Sequence, residues 1–186
     1  MTHDLLIKGG TLIDPAQKIH AKKDVAFANG LVAEVGDDLS EKGSFRTVDA
    51  GGRIVTPGMI DLHVHVFEGI SHFGVEPDLT CLAKGVTTVV DAGSAGADVF
   101  PGFRKYIINL SETRVYAELN ISSQGMITRE VGELDNPAHA DVAKAVDMIE
   151  RHRDVILGVK VRLTRESIVS ERLGMSSLQL TREAAD

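Results

Sequence analysis

The sequence predicts an α/β protein in which a parallel sheet follows a short, separate β-rich segment. Between residues 59 and 162, apolar runs rich in β-branched residues alternate with segments of helical periodicity. Residues 1–52 contain strand-like runs and turn signals without a helical pattern. Strands separated by helices form parallel βα units, because the chain must cross back before the next strand can pair in the same direction.

The β-rich segment is placed at residues 1–52. Its clearest signal is Asn29-Gly30, a two-residue hairpin signature between the apolar runs 24–27 and 31–35. Gly51 and Gly52 then interrupt the pattern, so we place a domain boundary there and assign residues 53–186 to a second domain.

The second domain is interpreted as four strands with helical segments between them. Strands are predicted at residues 59–66, 86–90, 114–121 and 154–162. A short helix is predicted at 78–84, ending at Gly85. A second begins at Pro101 and a third at Asn136 and Pro137; the buried face of the second is predicted to carry Phe103, Tyr106, Ile107 and Leu110. Residues 91–96 are predicted to be a glycine-rich loop.

His63 and His65 lie near the end of the first of these strands. Side chains alternate along a strand, so both imidazoles, and Asp61 before them, are expected on the same face. Two neutral imidazoles at a fixed separation can bind a divalent metal ion. The same spacing also occurs on solvated strand faces, which leaves an ordinary surface role open.

The surroundings of the two histidines narrow this choice. Residues 57–65 read Pro-Gly-Met-Ile-Asp-Leu-His-Val-His, which resembles the first barrel strand of the amidohydrolase superfamily of metal-dependent hydrolases. The resemblance implies that residues 53–186 are the N-terminal half of a (β/α)8 TIM barrel and that residues 1–52 contribute to a β-sandwich beside it. It covers nearly the whole chain but only half of the family's pattern, so a truncated chain is expected.

Lys160 lies in the fourth predicted strand between two valines. A strand lysine commonly extends to solvent or pairs with a carboxylate. In many amidohydrolases, however, a lysine of the fourth barrel strand is carboxylated by carbon dioxide and bridges two metals, and Gly-Val-Lys-Val-Arg resembles that pattern. The resemblance therefore implies that His63, His65 and Lys160, as N6-carboxylysine, bind two divalent ions, with zinc expected. A single-metal enzyme with unmodified Lys160 is the intermediate alternative.

Substrate contacts are expected from the loops that follow the strands, where barrel enzymes build their active sites. The candidates are Ser94, Gln124 and Arg162, the last because a guanidinium can bind a substrate carboxylate through two hydrogen bonds. A plain turn at 91–96 and an ordinary salt bridge at Arg162 are the alternatives. No catalytic residue is assigned, because the resemblance places the family's general-base aspartate beyond residue 186. The chain alone is therefore expected to be inactive.

Composition limits the kind of partner. The formal charge of −7 and the lack of a lysine-arginine stripe argue against nucleic acid. No apolar run reaches membrane-spanning length, which argues against a membrane partner. Cys81 is the only cysteine and no secretory signal is visible, so a cytoplasmic location is expected. The expected partner is a small-molecule substrate carrying a carboxylate, and a homo-oligomer is left open.

Within the superfamily, residues 91–96 and the Lys160 strand most resemble the deacetylases, which act on acetylated amino or hydroxy acids. This predicts hydrolysis of an amide or ester by a metal-activated water. One alternative is a cyclic-amide hydrolase of the dihydroorotase or hydantoinase kind. Another is a metal-free paralogue that serves as an assembly partner.

Overall fold

A computed structural model describes residues 3–164 and 173–186 of the chain. The chain divides into two compact units, Met1–Pro57 and Gly58–Asp186. Across the described residues, no helix combines the length and the apolar character needed to cross a membrane.

The first unit is built on one five-stranded sheet in its described residues. Its strands are β1 (His3–Asp14), β2 (Ile19–Ala28), β3 (Leu31–Gly36), β4 (Ser44–Asp49) and β5 (Ile54–Val55). The order is β3-β2-β1-β4, with β5 also paired to β1. Asn29 and Gly30 join β2 to β3 with φ values of 53° and 74°, the left-handed pair that the hairpin signal predicted.

The boundary between the units lies after Pro57 rather than after residue 52. The reason is strand pairing, because β5 runs parallel to β1 and places Ile54 beside Thr11 and Val55 beside Leu12. The residues expected to open the second domain therefore complete the first sheet.

The second unit contains a four-stranded sheet in the order β6-β7-β8-β9, with every neighbouring pair parallel. Its strands are β6 (Met59–Val64), β7 (Val86–Gly96), β8 (Arg114–Asn120) and β9 (Ile156–Lys160). Its α-helices are α1 (Pro77–Thr80), α2 (Phe100–Phe103), α3 (Val142–Arg151) and α4 (Ser176–Ala185). The predicted α/β class with a parallel sheet is confirmed, whereas the half-barrel description stays a prediction.

The two faces of this sheet differ in chemistry. Along β8, Val115, Ala117 and Leu119 are buried in the apolar core together with Phe103 of α2 and Met148 of α3. The alternating residues of the same strand, Tyr116, Glu118 and Asn120, belong to the opposite face because strand side chains alternate. The polar candidates of the site are therefore expected on that second face.

The helix predicted after Pro101 is shorter than its periodicity suggested. Only Phe100–Phe103 is α-helical, and Arg104–Ile108 continues as a π-helical turn. The wider turn shifts the residues that follow relative to an α-helical spacing. Phe103 is fully buried, whereas Tyr106 and Leu110 are exposed, so the prediction was wrong for these two side chains.

The helix predicted to begin at Asn136 and Pro137 begins instead at Val142. Asn136 caps a separate 3-10 turn, Pro137–His139. The backbone then leaves the helical path, because the oxygen of His139 accepts a hydrogen bond of 2.8 Å from the N–H of Ser123. Asp141 provides the real N-cap.

Candidate metal and substrate site

His63 and His65 lie side by side at the end of β6. Their ring centroids are 5.6 Å apart with an interplanar angle of 81°. His63 is exposed and His65 is half-buried. The backbone N–H of His63 donates a 3.0 Å hydrogen bond to Oδ1 of Asp61, which constrains the strand just before the pair.

The imidazole of His65 is neutral at physiological pH. Burial first, and then the electrostatic effects of His63, Lys160, Arg162 and His72, together lower the pKa of His65 to about 4. These effects place Lys160 and Arg162, from the other edge of the sheet, within electrostatic range of the His65 ring. A neutral imidazole keeps a lone pair available for a metal ion or a proton.

Asp91 and Ser94 constrain the position of His65 through hydrogen bonds. Asp91 is fully buried, and its two carboxylate oxygens accept hydrogen bonds from the N–H groups of Val66 (2.7 Å) and Ser94 (2.6 Å). The Ser94 hydroxyl in turn lies 3.0 Å from Nδ1 of His65. Since Ser94 is only 1% exposed, this placement favours a role in orienting the His65 ring over the substrate contact expected from the sequence.

Residues 91–96 form the end of β7 rather than a free loop. The regular pairing with β8 is interrupted between Ala92 and Gly96, and Gly93 has a φ of +85°. A Cβ at Gly93 would lie 2.7 Å from Cβ of Lys160 and 2.6 Å from its Cγ. The glycine therefore creates the space through which the Lys160 side chain passes.

Among the described residues, the ammonium group of Lys160 is only loosely paired. It faces the carboxylate of Glu118 on β8, with Nζ and Oε2 3.9 Å apart. About a fifth of the Lys160 side chain is exposed. This contact places Lys160 on the polar face of the sheet and does not commit the amine to a close ion pair.

Arg162 forms an ion pair with Glu133, whose side chain is 2% exposed. The second oxygen of Glu133 accepts a 3.1 Å hydrogen bond from the amide of Asn120. The salt-bridge alternative for Arg162 is thus present in the structure, and its substrate role stays a proposal. Glu133 itself was missed by the sequence analysis, because it lies in a segment without regular periodicity.

Gln124 is exposed. It lines a cavity of about 440 Å³ that is bounded by the segment reaching to His139. The described lining of this cavity includes neither histidine of the pair nor Lys160, and the substrate role of Gln124 stays a prediction.

An aromatic side chain that the sequence analysis did not select flanks the histidines. The ring centroid of Phe73 lies 5.8 Å from that of His65 and 4.2 Å from that of His72. His72 is anchored by a hydrogen bond of 3.3 Å between its backbone N–H and the oxygen of Met126. Phe73 therefore forms an apolar wall on one side of the site.

Within residues 3–164 and 173–186, no cluster of three or more His, Cys, Asp or Glu side chains is arranged to hold a metal ion. A carboxylated Lys160 would add a ligand of another kind to the histidine pair.

Curated relatives are similar in sequence to most of this chain, although no protein-family model matches it. A deacetylase of Agrobacterium fabrum is 34% identical over 158 residues, which are 84% of this chain and 38% of that protein. A dihydroorotase of Geobacter sp. is 34% identical over 148 residues, or 70% of this chain and 33% of that protein.

Solved structures of related enzymes also resemble the structure of this chain. A crystal structure of a dihydroorotase, 30% identical, matches with a TM-score of 0.87 over 97% of this chain and 48% of its own. The chain belongs to the amidohydrolase superfamily. An adenine deaminase matches with a TM-score of 0.82 and 28% identity over 98% of this chain and 47% of its own. This superfamily member thus spans between a third and a half of the proteins it resembles.

Proposed function

We propose that the protein carrying this chain is a metal-dependent hydrolase of the deacetylase type, acting on an N-acetyl amino acid or an O-acetyl hydroxy acid. The observation that carries this proposal is the neutral His65 ring beside His63, within electrostatic range of Lys160. The similarity to deacetylases of Agrobacterium fabrum and Brucella anthropi supports the reaction class.

His63, His65 and Lys160 would bind two divalent cations, with zinc as the proposed metal. The residues suit this role because the neutral His65 offers a lone pair and Nδ1 is already directed towards Ser94. Bound cations would acidify water towards neutrality and polarise the scissile carbonyl.

Lys160 would take part as its carbamate. The neutral amine adds to carbon dioxide, a C–N bond forms, and one proton is released to solvent. The product carries an anionic group with two oxygens that can contact two cations. The loose pairing with Glu118 and the space above Gly93 support this modification, because neither blocks the amine.

The remaining residues of the site position the reactants. Asp91 and Ser94 orient the His65 ring, and Phe73 shields one side of it from water. Arg162 would bind the substrate carboxylate through the guanidinium donors that Glu133 does not use.

A cyclic-amide hydrolase is the second candidate. It is supported by the dihydroorotase relative from Geobacter sp. and by the dihydroorotase crystal structure. Both candidates use the same metal ligands and differ only in the bond that is cleaved. A metal-free paralogue that acts in assembly is the third.

An activity panel on the full-length protein separates these candidates. We expect release of acetate from at least one N-acetyl amino acid or O-acetyl hydroxy acid and no ring opening of dihydroorotate or a hydantoin. Ring opening without acetate release would replace the deacetylase proposal by the cyclic-amide one.

Metal content and lysine modification are measured on the same preparation. Elemental analysis is expected to give two divalent ions per chain, and native mass spectrometry an added carbon dioxide that Lys160→Ala abolishes. Lys84→Ala, at an exposed position, is the matched control and should leave both measurements unchanged. A metal-replete protein with unmodified Lys160 would favour the single-metal alternative, and a protein without metal would favour the paralogue.

A further inference from the structure

Glu133 is a buried carboxylate in a segment that is otherwise mostly exposed. Its side chain is 2% exposed, although residues 127–131 just before it are exposed. Burying an ionised carboxylate is costly unless both of its oxygens find partners. Here Oε2 accepts a hydrogen bond of 3.1 Å from Asn120, whereas Oε1 is paired with Arg162 by charge and has no hydrogen-bond partner among the described residues.

Two further hydrogen bonds fix this carboxylate relative to the sheet. The amide nitrogen of Asn120 also donates to the oxygen of Gly93 at 3.0 Å, next to the Lys160 side chain. The hydroxyl of Ser122 donates to the backbone oxygen of Glu133 at 2.6 Å. The position of Glu133 is therefore set by the ends of β7 and β8, which lie between β6, followed by His65, and β9, which carries Lys160.

Arg162 is more exposed than Glu133, which contacts only part of its guanidinium group. Nη2 faces Glu133, whereas Nε is buried and has no hydrogen-bond partner among the described residues. An unpaired buried donor is unfavourable, so Glu133 leaves the hydrogen-bonding capacity of the guanidinium incompletely used. A fifth of the Arg162 side chain is exposed, so a ligand carboxylate can contact its accessible part, whereas Nε itself is covered.

We propose that Glu133 is a positioning residue that orients Arg162 to bind the carboxylate of the substrate, and so makes the enzyme selective for acids over their neutral amides. This inference rests on the proposed hydrolase function. A fixed guanidinium binds a carboxylate more tightly than a free one because its rotational freedom is already lost before binding.

The test compares Glu133→Gln with Glu130→Gln in the metal-loaded full-length protein. Glu130 is an exposed residue of the same segment, so the control makes the same chemical change outside the pair. Glu133→Gln is expected to raise KM for the acetylated amino acid about tenfold, with kcat within about threefold of wild type. KM for the corresponding carboxamide and both constants of Glu130→Gln should be unchanged.

Glu133→Asp keeps the charge and guards against a variant that does not fold. It moves the carboxylate back by one methylene, and we expect a KM for the acid between those of wild type and Glu133→Gln. Equal increases of KM for acid and amide, or a lower melting temperature with unchanged KM, would overturn the proposal and leave Glu133 a purely structural residue.

Calorimetric binding of racemic N-acetylalanine and its carboxamide separates this proposal from the proposed function. If wild type hydrolyses no acetylated acid but binds the acid tenfold tighter than Glu133→Gln does, the hydrolase proposal fails and the role of Glu133 stands. If wild type neither binds nor hydrolyses the acid in preference to the amide, the role proposed for Glu133 is wrong.

Discussion

The absence of a Cβ at the single residue Gly93 leaves the space that the Lys160 side chain occupies. Its φ of +85° is unfavourable for any residue with a side chain, and an added Cβ would overlap Lys160. We expect Gly93→Ala to lower the free energy of unfolding by about 2–4 kcal/mol, from backbone strain and this overlap together. Urea unfolding measures the loss.

Gly102→Ala is the matched control for this substitution. Gly102 lies in α2 and has no atom within 4 Å of its added Cβ, so alanine should be neutral or slightly stabilising there. Similar losses in both variants would show that the space above Lys160 is not what makes Gly93 necessary.

The titration of His65 gives a second prediction at this scale. Its pKa is about 4 in the folded protein against an ordinary 6.5. As the pH falls below 6.5, the unfolded chain therefore binds a proton that the folded chain does not, and stability decreases until the pH reaches about 4. In the metal-free protein we expect His65 to account for about 1–2 kcal/mol of this loss, after allowance for solvent screening.

Unfolding of wild type and of His65→Gln at a series of pH values between 4 and 8 measures this contribution. The stability difference between the two proteins should change across the lower part of this range and remain constant above pH 7. A constant difference throughout would mean that His65 titrates normally in the folded protein.

At the scale of elements, Asp91 joins the end of β6 to the end of β7. Its two oxygens each accept a backbone hydrogen bond, and burial raises the pKa of this carboxyl while those hydrogen bonds oppose the rise. Asp91→Asn leaves one N–H facing an amide NH2 group. We expect the free energy of unfolding to fall by about 1–3 kcal/mol, measured by chemical denaturation.

Asp98→Asn serves as the comparison. The Asp98 carboxylate also accepts two hydrogen bonds, from the side chains of Ser123 and Lys144, but it is exposed. Its loss should cost less than about 1 kcal/mol. An equal cost at both positions would contradict the view that Asp91 joins the two strand ends.

At the scale of the whole molecule, the four-stranded sheet has two terminal strands, β6 and β9. Ile60 on β6 and Leu157 on β9 are 62% and 60% exposed. Exposed apolar edge strands promote association between chains. We therefore expect the double variant Ile60→Lys, Leu157→Lys of this chain to self-associate less than wild type, as measured by sedimentation velocity.

Leu110→Lys tests whether the effect is specific to the sheet edges. Leu110 is 71% exposed but lies in the segment after the π-helical turn. It should leave self-association unchanged. An equal decrease would indicate general solubilisation by added charge and not an effect of the strand edges.

Local sequence patterns alone predict the order of strands and helices, the parallel sheet and the histidine pair. These features depend on periodicity and on spacing within a few residues, which local patterns record directly. The Asn29-Gly30 turn and the Gly85 terminus of the first helical segment belong to the same class.

Other features are visible only in the folded chain: the ion pair of Arg162, the burial of Glu133, the contact of Ser94 with His65 and the space that Gly93 leaves for Lys160. Each of these contacts joins residues far apart in sequence and depends on strand register. Register and chain crossings between strands leave no signal in a short window, because they are set by packing between elements.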